Sequence, residues 1–361
     1  MKRINYIFIL LVLTLASCGD KQQSDFDILS YKDRPIGYSD IIDTLSYRFI
    51  PLETTDASII GEIGKVEIVD DKVFVLDNFS KNIYRFDLEG KFIGQIGGRG
   101  QGPGEFVDPC SFVINHKDRQ IVICDRASFQ ILFYDYDGNF IHSCRMRANQ
   151  FAYLPESKDI VFLCSPAETD EQYELRRFRY CTNEPVGGYI PRPNFVEKQA
   201  YRTVNNYFVQ QGDSYYFISL FTDELYCLTE EGVTLVHKFG FEKDIFDYDR
   251  AAQTTDVYKA EKLDTASKFY INNEGSYMFK MGYGMETEFD IIGNIHSEKM
   301  RAGGQIYETV SRLVSCALNT VGVHNEYFIS AFSYGHRYPD KFPERTEDDN
   351  PILVLYKVKF E

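Results

Sequence analysis

Apolar and polar positions follow a pattern that occurs twice, from Val75 to Ile93 and again, about 48 residues later, from Ile123 to Ile141. In each copy a short apolar run ends in an Asp, a polar turn follows, and a second apolar run leads through an Asp-x-x-Gly turn into a Phe-Ile pair. Short apolar runs separated by such turns predict antiparallel strands joined by hairpins. A period of this length is typical of one blade of a β-propeller.

Six segments carry strand-rich patterning of this kind, at about 59–97, 109–147, 150–190, 204–240, 267–296 and 326–358. The fourth restores the signature of the first, because Glu224 to Gly232 matches Asn82 to Gly90 about three periods later. A strand-like run at 46–52 lacks a hairpin partner, and we expect it to join the C-terminal strand in the last blade and close the ring. The sequence therefore predicts an all-β protein in which residues 43–361 form a six-bladed β-propeller of four-stranded antiparallel blades.

The N-terminus has the pattern of a processing segment. Two bases, Lys2 and Arg3, precede an apolar run at 6–15 that is too short to span a bilayer. The run ends in Leu-Ala-Ser-Cys18, which resembles a bacterial lipoprotein box. We predict a signal peptide at 1–17, a lipid on Cys18 and a polar tether over 18–42, which would attach the protein to a membrane of the cell envelope, the outer membrane by preference. An ordinary signal peptide with a chance Cys is the alternative.

Composition excludes one class of partner and limits the role of cysteine. The formal net charge is -15 at pH 7, and because nucleic-acid binding requires a basic surface, we expect no nucleic-acid partner. Seven cysteines follow Cys18, an odd number without C-x-x-C spacing, so a disulfide framework is not indicated, although one bridge stays open. Cys124 and Cys164 lie within apolar runs and are predicted to be small core residues.

A glycine-rich stretch and the leader carry a family resemblance. The segment Gly97–Pro109, which contains Gly-Pro-Gly-Glu-Phe, resembles the inter-blade loop of NHL-type propellers. Together with Leu-Glu-Thr-Thr at 52–55 and the lipoprotein leader, it is similar to the six-bladed propeller lipoproteins of Bacteroidetes. The resemblance implies a propeller fold and an envelope location, and it implies little about chemistry.

Motifs for catalysis and metal binding are weak. Asp77 and Asp125 recur with the blade, which favours structural turn capping, since a catalytic residue is needed only once. The glycine-rich loop has strands on both sides, whereas a phosphate cradle needs a helix after it. The six His residues show no metal-ligand spacing, and no G-x-S-x-G is present. We therefore assign no catalytic residue, cofactor or metal.

Geometry nevertheless predicts a binding face. Connections from second to third strands and from each blade to the next emerge at one end of the ring, which we call the crossover face. These loops do not repeat, and nonrepeating loops carry function more often than the scaffold does. The polar and aromatic side chains that we expect there are Asn78, Arg99, Gln101, Arg126, Asp223, Tyr334, His336 and Arg337.

Three functions are compatible with these features. The first is a noncatalytic module that binds a glycan, a peptide or an envelope protein through the crossover face. The second is an extracellular polysaccharide lyase or hydrolase, which should gather nonrepeating titratable residues with shifted pKa values in the central channel. The third is a structural subunit of an envelope complex, which predicts a large exposed apolar patch. The sequence favours the first.

Overall fold

The computed structural model describes residues 36–164, 172–192, 207–220, 222–241, 263–283, 287–297, 299–303, 306–307, 319–332 and 341–360. Within them, the chain forms six four-stranded sheets and one two-stranded pair. Neighbouring strands of every four-stranded sheet are antiparallel. The predicted all-β, six-bladed propeller is therefore confirmed.

Three elements precede the first blade: β1 (Ile36–Gly37), the helix α1 (Tyr38–Ile41) and β2 (Ile42–Pro51). Blade one contains β3 (Ile63–Val69), β4 (Lys72–Asp77), β5 (Asn82–Asp87) and β6 (Phe92–Ile96), and blade two contains β7 (Pro109–Asn115), β8 (Gln120–Asp125), β9 (Gln130–Asp135) and β10 (Phe140–Arg145). Blade three contains β11 (Phe151–Leu154), β12 (Asp159–Leu163), β13 (Tyr173–Arg179) and β14 (Pro185–Pro191).

Blade four contains β15 (Val209–Gln211), β16 (Ser214–Ile218), β17 (Glu224–Thr229) and β18 (Gly232–Lys238), and blade five contains β19 (Leu263–Ile271), β20 (Ser276–Tyr283), β21 (Thr287–Asn294) and β22 (Met300–Gly303). A short strand, β23 (Ile306–Tyr307), pairs in parallel with β1. Blade six contains β24 (Thr320–His324), β25 (Tyr327–Phe332) and β26 (Ile352–Val358). The first strand of each blade lies innermost, beside the channel.

The N-terminal strand completes blade six, whose order is β24, β25, β26, β2. The strand β2 pairs antiparallel with β26 from Ile42 opposite Val358 to Pro51 opposite Ile352, with an irregularity between Asp43 and Arg48. The outer strand of the last blade therefore comes from the other end of the chain, as predicted for the run at 46–52.

Second strands are apolar on both faces because each blade is packed between two others. All four residues at 73–76 of β4 and all four residues at 121–124 of β8 are buried. A strand buried on both faces has a continuous apolar run instead of strict alternation. Cys124 and Cys164 are 0% and 1% exposed, which confirms that they are core residues.

The Asp-x-x-Gly hairpins require glycine at their fourth position. Gly90 has φ +86°, a left-handed conformation, and a Cβ there would collide with the carbonyl oxygen of Pro51. The Gly90 N–H donates to the carbonyl of Asp87 at 3.0 Å, which closes the turn. Gly138 repeats this conformation in blade two with φ +84°.

The folded region begins earlier than the sequence predicts. The side chains of Ile36, Ile41 and Ile42 are buried in the core cluster that they share with blades four to six. Gly, Tyr, Ser and Asp separate Ile36 from the adjacent Ile41 and Ile42, and the segment lacks a strand period, so the sequence predicts a polar tether here. Residues 36–42, which the sequence assigns to the tether, therefore pack with the propeller domain.

Candidate binding face

The crossover face is built from connecting loops whose positions are set by the strands beneath them. In the first four blades its described loops are 52–62, 78–81, 97–108, 126–129, 146–150, 219–220 and 222–223. All of them lie at the same end of the ring because successive strands run in opposite directions.

Two buried carboxylates fix these loops. Asp77 is 0% exposed and accepts hydrogen bonds of 2.8–3.2 Å from the backbone N–H groups of Gly61, Glu62, Phe79 and Ser80. Asp125 repeats this in blade two, accepting from the N–H groups of Val107, Asp108 and Ala127 and from the hydroxyl of Ser128. The structural role predicted for the repeated Asp residues is confirmed.

An apolar pair protrudes from this rigid frame in blade one. Phe79 is 82% exposed and Ile59 is 58% exposed. The two loops are tied together, since the Tyr84 hydroxyl contacts both the Ile59 carbonyl, at 3.2 Å, and the Ser80 hydroxyl, at 3.3 Å. Phe79 also lies against Gly61, where a Cβ would approach the Phe79 Cβ to 2.7 Å. The backbone that carries Phe79 is therefore fixed by its bond to Asp77 and lies against the neighbouring loop.

Beside this pair lies a small ionic network. Arg126 donates from Nε and Nη2 to one oxygen of Asp108 at 2.9 and 2.6 Å, and Lys81 approaches the other oxygen at 3.2 Å. Partial burial alone would raise the pKa of Asp108, but Arg126 and Lys81 lower it below its ordinary value. Arg126 is thus held in place by an ion pair while half of its side chain stays exposed.

The glycine-rich loop presents two further predicted residues. Arg99 and Gln101 are exposed. The loop is anchored beneath them by Phe106, which is fully buried and whose N–H donates to the Gly98 carbonyl at 3.0 Å. Glu105 accepts from the Gly102 N–H at 2.7 Å. Contacts within the loop therefore fix its shape, and Arg99 and Gln101 face solvent.

The remaining predicted residues are placed differently. Asn78 is half-buried at the inner end of the face and covers Gly64 of β3, where a Cβ would collide with its amide. Asp223 is 3% exposed, and its carboxylate accepts from the N–H groups of Gly240 and Phe241 at 2.7 and 2.8 Å. Tyr334, His336 and Arg337 lie outside the described residues.

Polar side chains of the inner strands bond to the backbone of inner strands in other blades. The Gln210 amide of β15 exchanges two hydrogen bonds with the backbone of Ile114 in β7, at 2.9 and 2.6 Å. Because blades two and four are not neighbours, this side chain spans the channel. Lys65 of β3 donates to the Phe112 carbonyl at 2.8 Å and pairs with Glu67 at 3.0 Å. These groups are occupied by structural contacts.

The sequence did not single out Glu174, the most deeply buried acid of blade three. Glu174 is 0% exposed, and its carboxylate accepts from the Tyr207 hydroxyl at 2.5 Å, the Leu220 N–H at 2.6 Å and the Ser219 hydroxyl at 2.7 Å. Burial raises the pKa of this carboxyl, although the three donors act in the opposite direction. Ser219 occupies in blade four the position that Asp77 has in blade one, so Glu174 supplies from blade three a carboxylate that blade four lacks.

We expect Glu174 to give the propeller a distinctive pH dependence. A raised folded-state pKa contributes stability that is complete below the unfolded value, ordinarily 4.5, and is lost as pH rises through the folded pKa. We therefore expect the free energy of unfolding of the native protein, measured with urea, to decrease from pH 4.5 to pH 8. The free energy of unfolding of Glu174→Gln should decrease less over the same range, because the variant has no carboxyl group at this position.

Glu174→Ala leaves three buried donors without an acceptor and should lower the free energy of unfolding by about 3 kcal/mol. A constant difference between native protein and Glu174→Gln would contradict this role.

Among the residues that the structure describes, no three His, Cys, Asp or Glu side chains are grouped so that they could hold a metal ion. In the same residues, no helix has the length and apolar character needed to cross a bilayer.

Fold and site together define a six-bladed β-propeller with a rigid crossover face that carries exposed apolar and cationic side chains. The chain belongs to the family described as domain of unknown function DUF4934, whose profile matches residues 24–357. No curated protein matches the sequence.

Two solved structures from Bacteroides share the fold. A Bacteroides fragilis protein described as exported is 18% identical, with a TM-score of 0.72, and the match covers 90% of this chain and 99% of that one. A member of the DUF4221 family from Bacteroides vulgatus is 10% identical, with a TM-score of 0.55, and the match covers 89% and 99% of the two chains.

Proposed function

We propose that this chain is a noncatalytic propeller of the cell envelope that binds a protein partner through the crossover face of blades one and two. The proposed ligand is a peptide segment that offers an apolar anchor next to a carboxylate. The observation that carries this proposal is the rigidly held, exposed pair Phe79 and Ile59.

The apolar pair has the character of a binding hot spot. Single exposed apolar side chains are normal on protein surfaces, but here two lie on different loops whose backbones are fixed at Ile59 and Phe79 by Tyr84 and Asp77. Aromatic side chains, Phe included, and Arg are enriched in protein interfaces relative to the rest of the surface. A rigid frame lowers the entropy that binding must otherwise overcome.

The surrounding charge suits a carboxylate in the ligand. Arg99 and Arg126 are exposed on the loops 97–108 and 126–129 of the same face, in a protein whose net charge is -15. Exposed acids, Glu62 and Glu105, lie in the same loops, so the face is mixed in charge and not uniformly basic. Guanidinium groups bind carboxylates with bidentate geometry, and a local cation in an acidic protein directs an acidic segment to this point.

The envelope location is part of the same proposal. The leader at 1–17 and the Leu-Ala-Ser-Cys18 box support export and lipid attachment at Cys18. A lipid at that position would tether the propeller to the membrane through the residues that precede Ile36. The description of the Bacteroides fragilis neighbour as exported is consistent with this location.

Binding should depend on Phe79 more than on any other single side chain of the face. The chain from Gly19 onward is used to select peptides from a displayed random library, with a glycan array screened in parallel, and affinities are then measured by biolayer interferometry. Phe79→Ala should raise Kd at least about tenfold, because it removes a central aromatic anchor. Arg99→Ala should weaken binding a few fold, and more at low salt than at high salt.

The matched control is Leu235→Ala, which removes a 55% exposed apolar side chain from β18, the outer strand of blade four. Its Kd should equal that of the native protein. Peptides whose binding ignores Phe79→Ala would contradict the proposed face. Binding of a glycan that does not depend on Phe79 would show that the ligand is a glycan and not a peptide. Cleavage of that glycan by the protein would favour the lyase or hydrolase alternative.

A further inference from the structure

Two free cysteines lie where blades two and three meet at the outside of the ring. Cys144 lies on β10, the outer strand of blade two, and is half-buried. Cys181 lies in the turn between β13 and β14 of blade three and is exposed. Their blades are neighbours, and 36 residues separate them in sequence.

The flanking residues hold these two cysteines together. The Tyr180 ring lies 5.7 Å from the ring of His142 and 5.0 Å from that of Phe133, measured between centroids. On the other side, the Asn183 amide donates to the Arg145 carbonyl at 3.1 Å. Residues 180 and 183 of the turn thus contact residues 142 and 145 of the strand, and Cys181 and Cys144 lie between these two contacts.

Thiol chemistry agrees with this placement. Burial raises the pKa of the Cys144 thiol to about 12, and hydrogen bonding with the Cys181 thiol adds to the shift, while the backbone N–H of Cys181 opposes it. Cys144 is therefore a protonated thiol within reach of both the side chain and the backbone of Cys181. The accessible partner, Cys181, is the one that an oxidant meets first.

We propose that Cys144 and Cys181 form an inter-blade disulfide that clamps blade two to blade three. The proposal needs an oxidising compartment, so in the cell it rests on the proposed envelope location. The Cys181 thiolate attacks a disulfide oxidant and releases one thiolate, leaving a mixed disulfide on Cys181. The Cys144 thiolate then attacks the Cys181 sulfur and expels the second thiolate. Two cysteine thiols lose two electrons and two protons, and the oxidant disulfide becomes two thiols.

Burial raises the pKa of the Cys144 thiol in either state of Cys181, and it therefore slows the second step. At neutral pH few Cys144 side chains are thiolates, so the mixed disulfide on Cys181 should accumulate transiently and resolve faster as pH rises. This order of events distinguishes the pair from two independently oxidised cysteines.

The test begins with the purified, reduced chain from Gly19 onward, oxidised with glutathione disulfide and quenched with N-ethylmaleimide. Trypsin separates the two cysteines, because Cys144 falls in peptide 127–145 and Cys181 in peptide 180–198, each without another cysteine. We expect these peptides to be linked without reductant and separate with it. The oxidised protein should melt about 5 °C above the reduced one, since the link closes a loop in the unfolded chain.

Cys181→Ser changes an exposed side chain, should fold normally and should lose both the linked peptides and the gain in Tm. Cys110→Ser is the control and should keep both. Attachment of Cys181 to any other cysteine, or alkylation of both cysteines after oxidation, would overturn the proposal.

The same peptide mapping, applied to protein from the envelope of cells that express the full chain, tests the location separately. If both thiols are free in that protein but glutathione disulfide forms the link in the purified chain, the envelope location is contradicted and the pairing is not.

Discussion

A chain that begins at Leu52, and so lacks β2, is expected to lose cooperative folding. Without β2, blade six has three strands and β26 presents an unpaired edge. The truncation also removes Ile41, Ile42 and Ile50, which are 0%, 1% and 4% exposed. At about 2 kcal/mol for each buried isoleucine, the loss is about 6 kcal/mol. Net stabilities of domains are about 5–15 kcal/mol, so the loss is comparable to the whole.

Urea unfolding followed by far-UV circular dichroism measures this effect, with the chain from Gly19 onward as control. The control should show one steep transition, and the truncated chain should show a broad or absent transition together with aggregation. A synthetic peptide of residues 36–52, added in excess, should restore the transition, because the strand pairs through its own backbone with β26. An unchanged midpoint for the truncated chain would show that β2 does not close the ring.

Asp77→Ala should be the most damaging single substitution among the carboxylates of the crossover face. It leaves the N–H groups of Gly61, Glu62, Phe79 and Ser80 without their common acceptor. Water reaches some of these groups because the loops are at the surface, so we expect a loss of about 3 kcal/mol in the free energy of unfolding. Asp77→Asn, which keeps one oxygen, should lose less.

The pH dependence gives this prediction a second readout. Burial alone would raise the pKa of Asp77, but its hydrogen bonds from Ser80, Glu62, Gly61 and Phe79 lower it below the ordinary value of 3.8. A lowered folded-state pKa contributes stability above the unfolded value that is lost as pH falls through the folded pKa. The stability difference between native protein and Asp77→Asn should therefore shrink below pH 3.8.

The control is Asp56→Ala, which removes an exposed acid in a neighbouring loop. It should change the free energy of unfolding by less than about 0.5 kcal/mol. Equal losses for Asp56→Ala and Asp77→Ala would contradict the capping role.

Local repetition made much of the fold predictable. The hairpins of blades one and two follow from Asp-x-x-Gly turns between apolar runs, and the unpartnered strand at 46–52 predicted ring closure because a propeller leaves no other place for it. The repeated Asp77 and Asp125 were recognised as structural for the same reason. In each case a single segment contains the whole signal.

Features that depend on contacts between blades were not predictable in this way. Glu174 bonds to Tyr207 and Ser219 of the next blade, and nothing near Glu174 in sequence indicates those partners. The one sequence signal for this contact is at position 219, where a Ser stands in place of the Asp of the blade repeat. Likewise, the channel-spanning Gln210 and the adjacent thiols of Cys144 and Cys181 result from the curvature of the ring, which brings distant positions together.

The candidate binding face was predicted in part. Arg99 and Gln101 are exposed as expected, and Arg126 is exposed within an ion pair. Asp223 is instead buried, because its carboxylate accepts hydrogen bonds from the backbone N–H groups of Gly240 and Phe241, which follow the last strand of blade four. Phe79 and Ile59 were not among the predicted residues, since an apolar residue in a propeller sequence is normally assigned to the core. Their exposure becomes evident only when the loops are placed.

Hydrogen–deuterium exchange with and without a selected peptide tests whether the chain binds through the crossover face of blades one and two. We expect slower exchange on binding in the loops 52–62, 78–81 and 97–108, with the hairpins at the opposite end, 70–71, 116–119 and 136–139, unchanged. Slower exchange confined to those opposite hairpins, or to the inner strands β3, β7 and β15 that line the channel, would contradict binding through the crossover face.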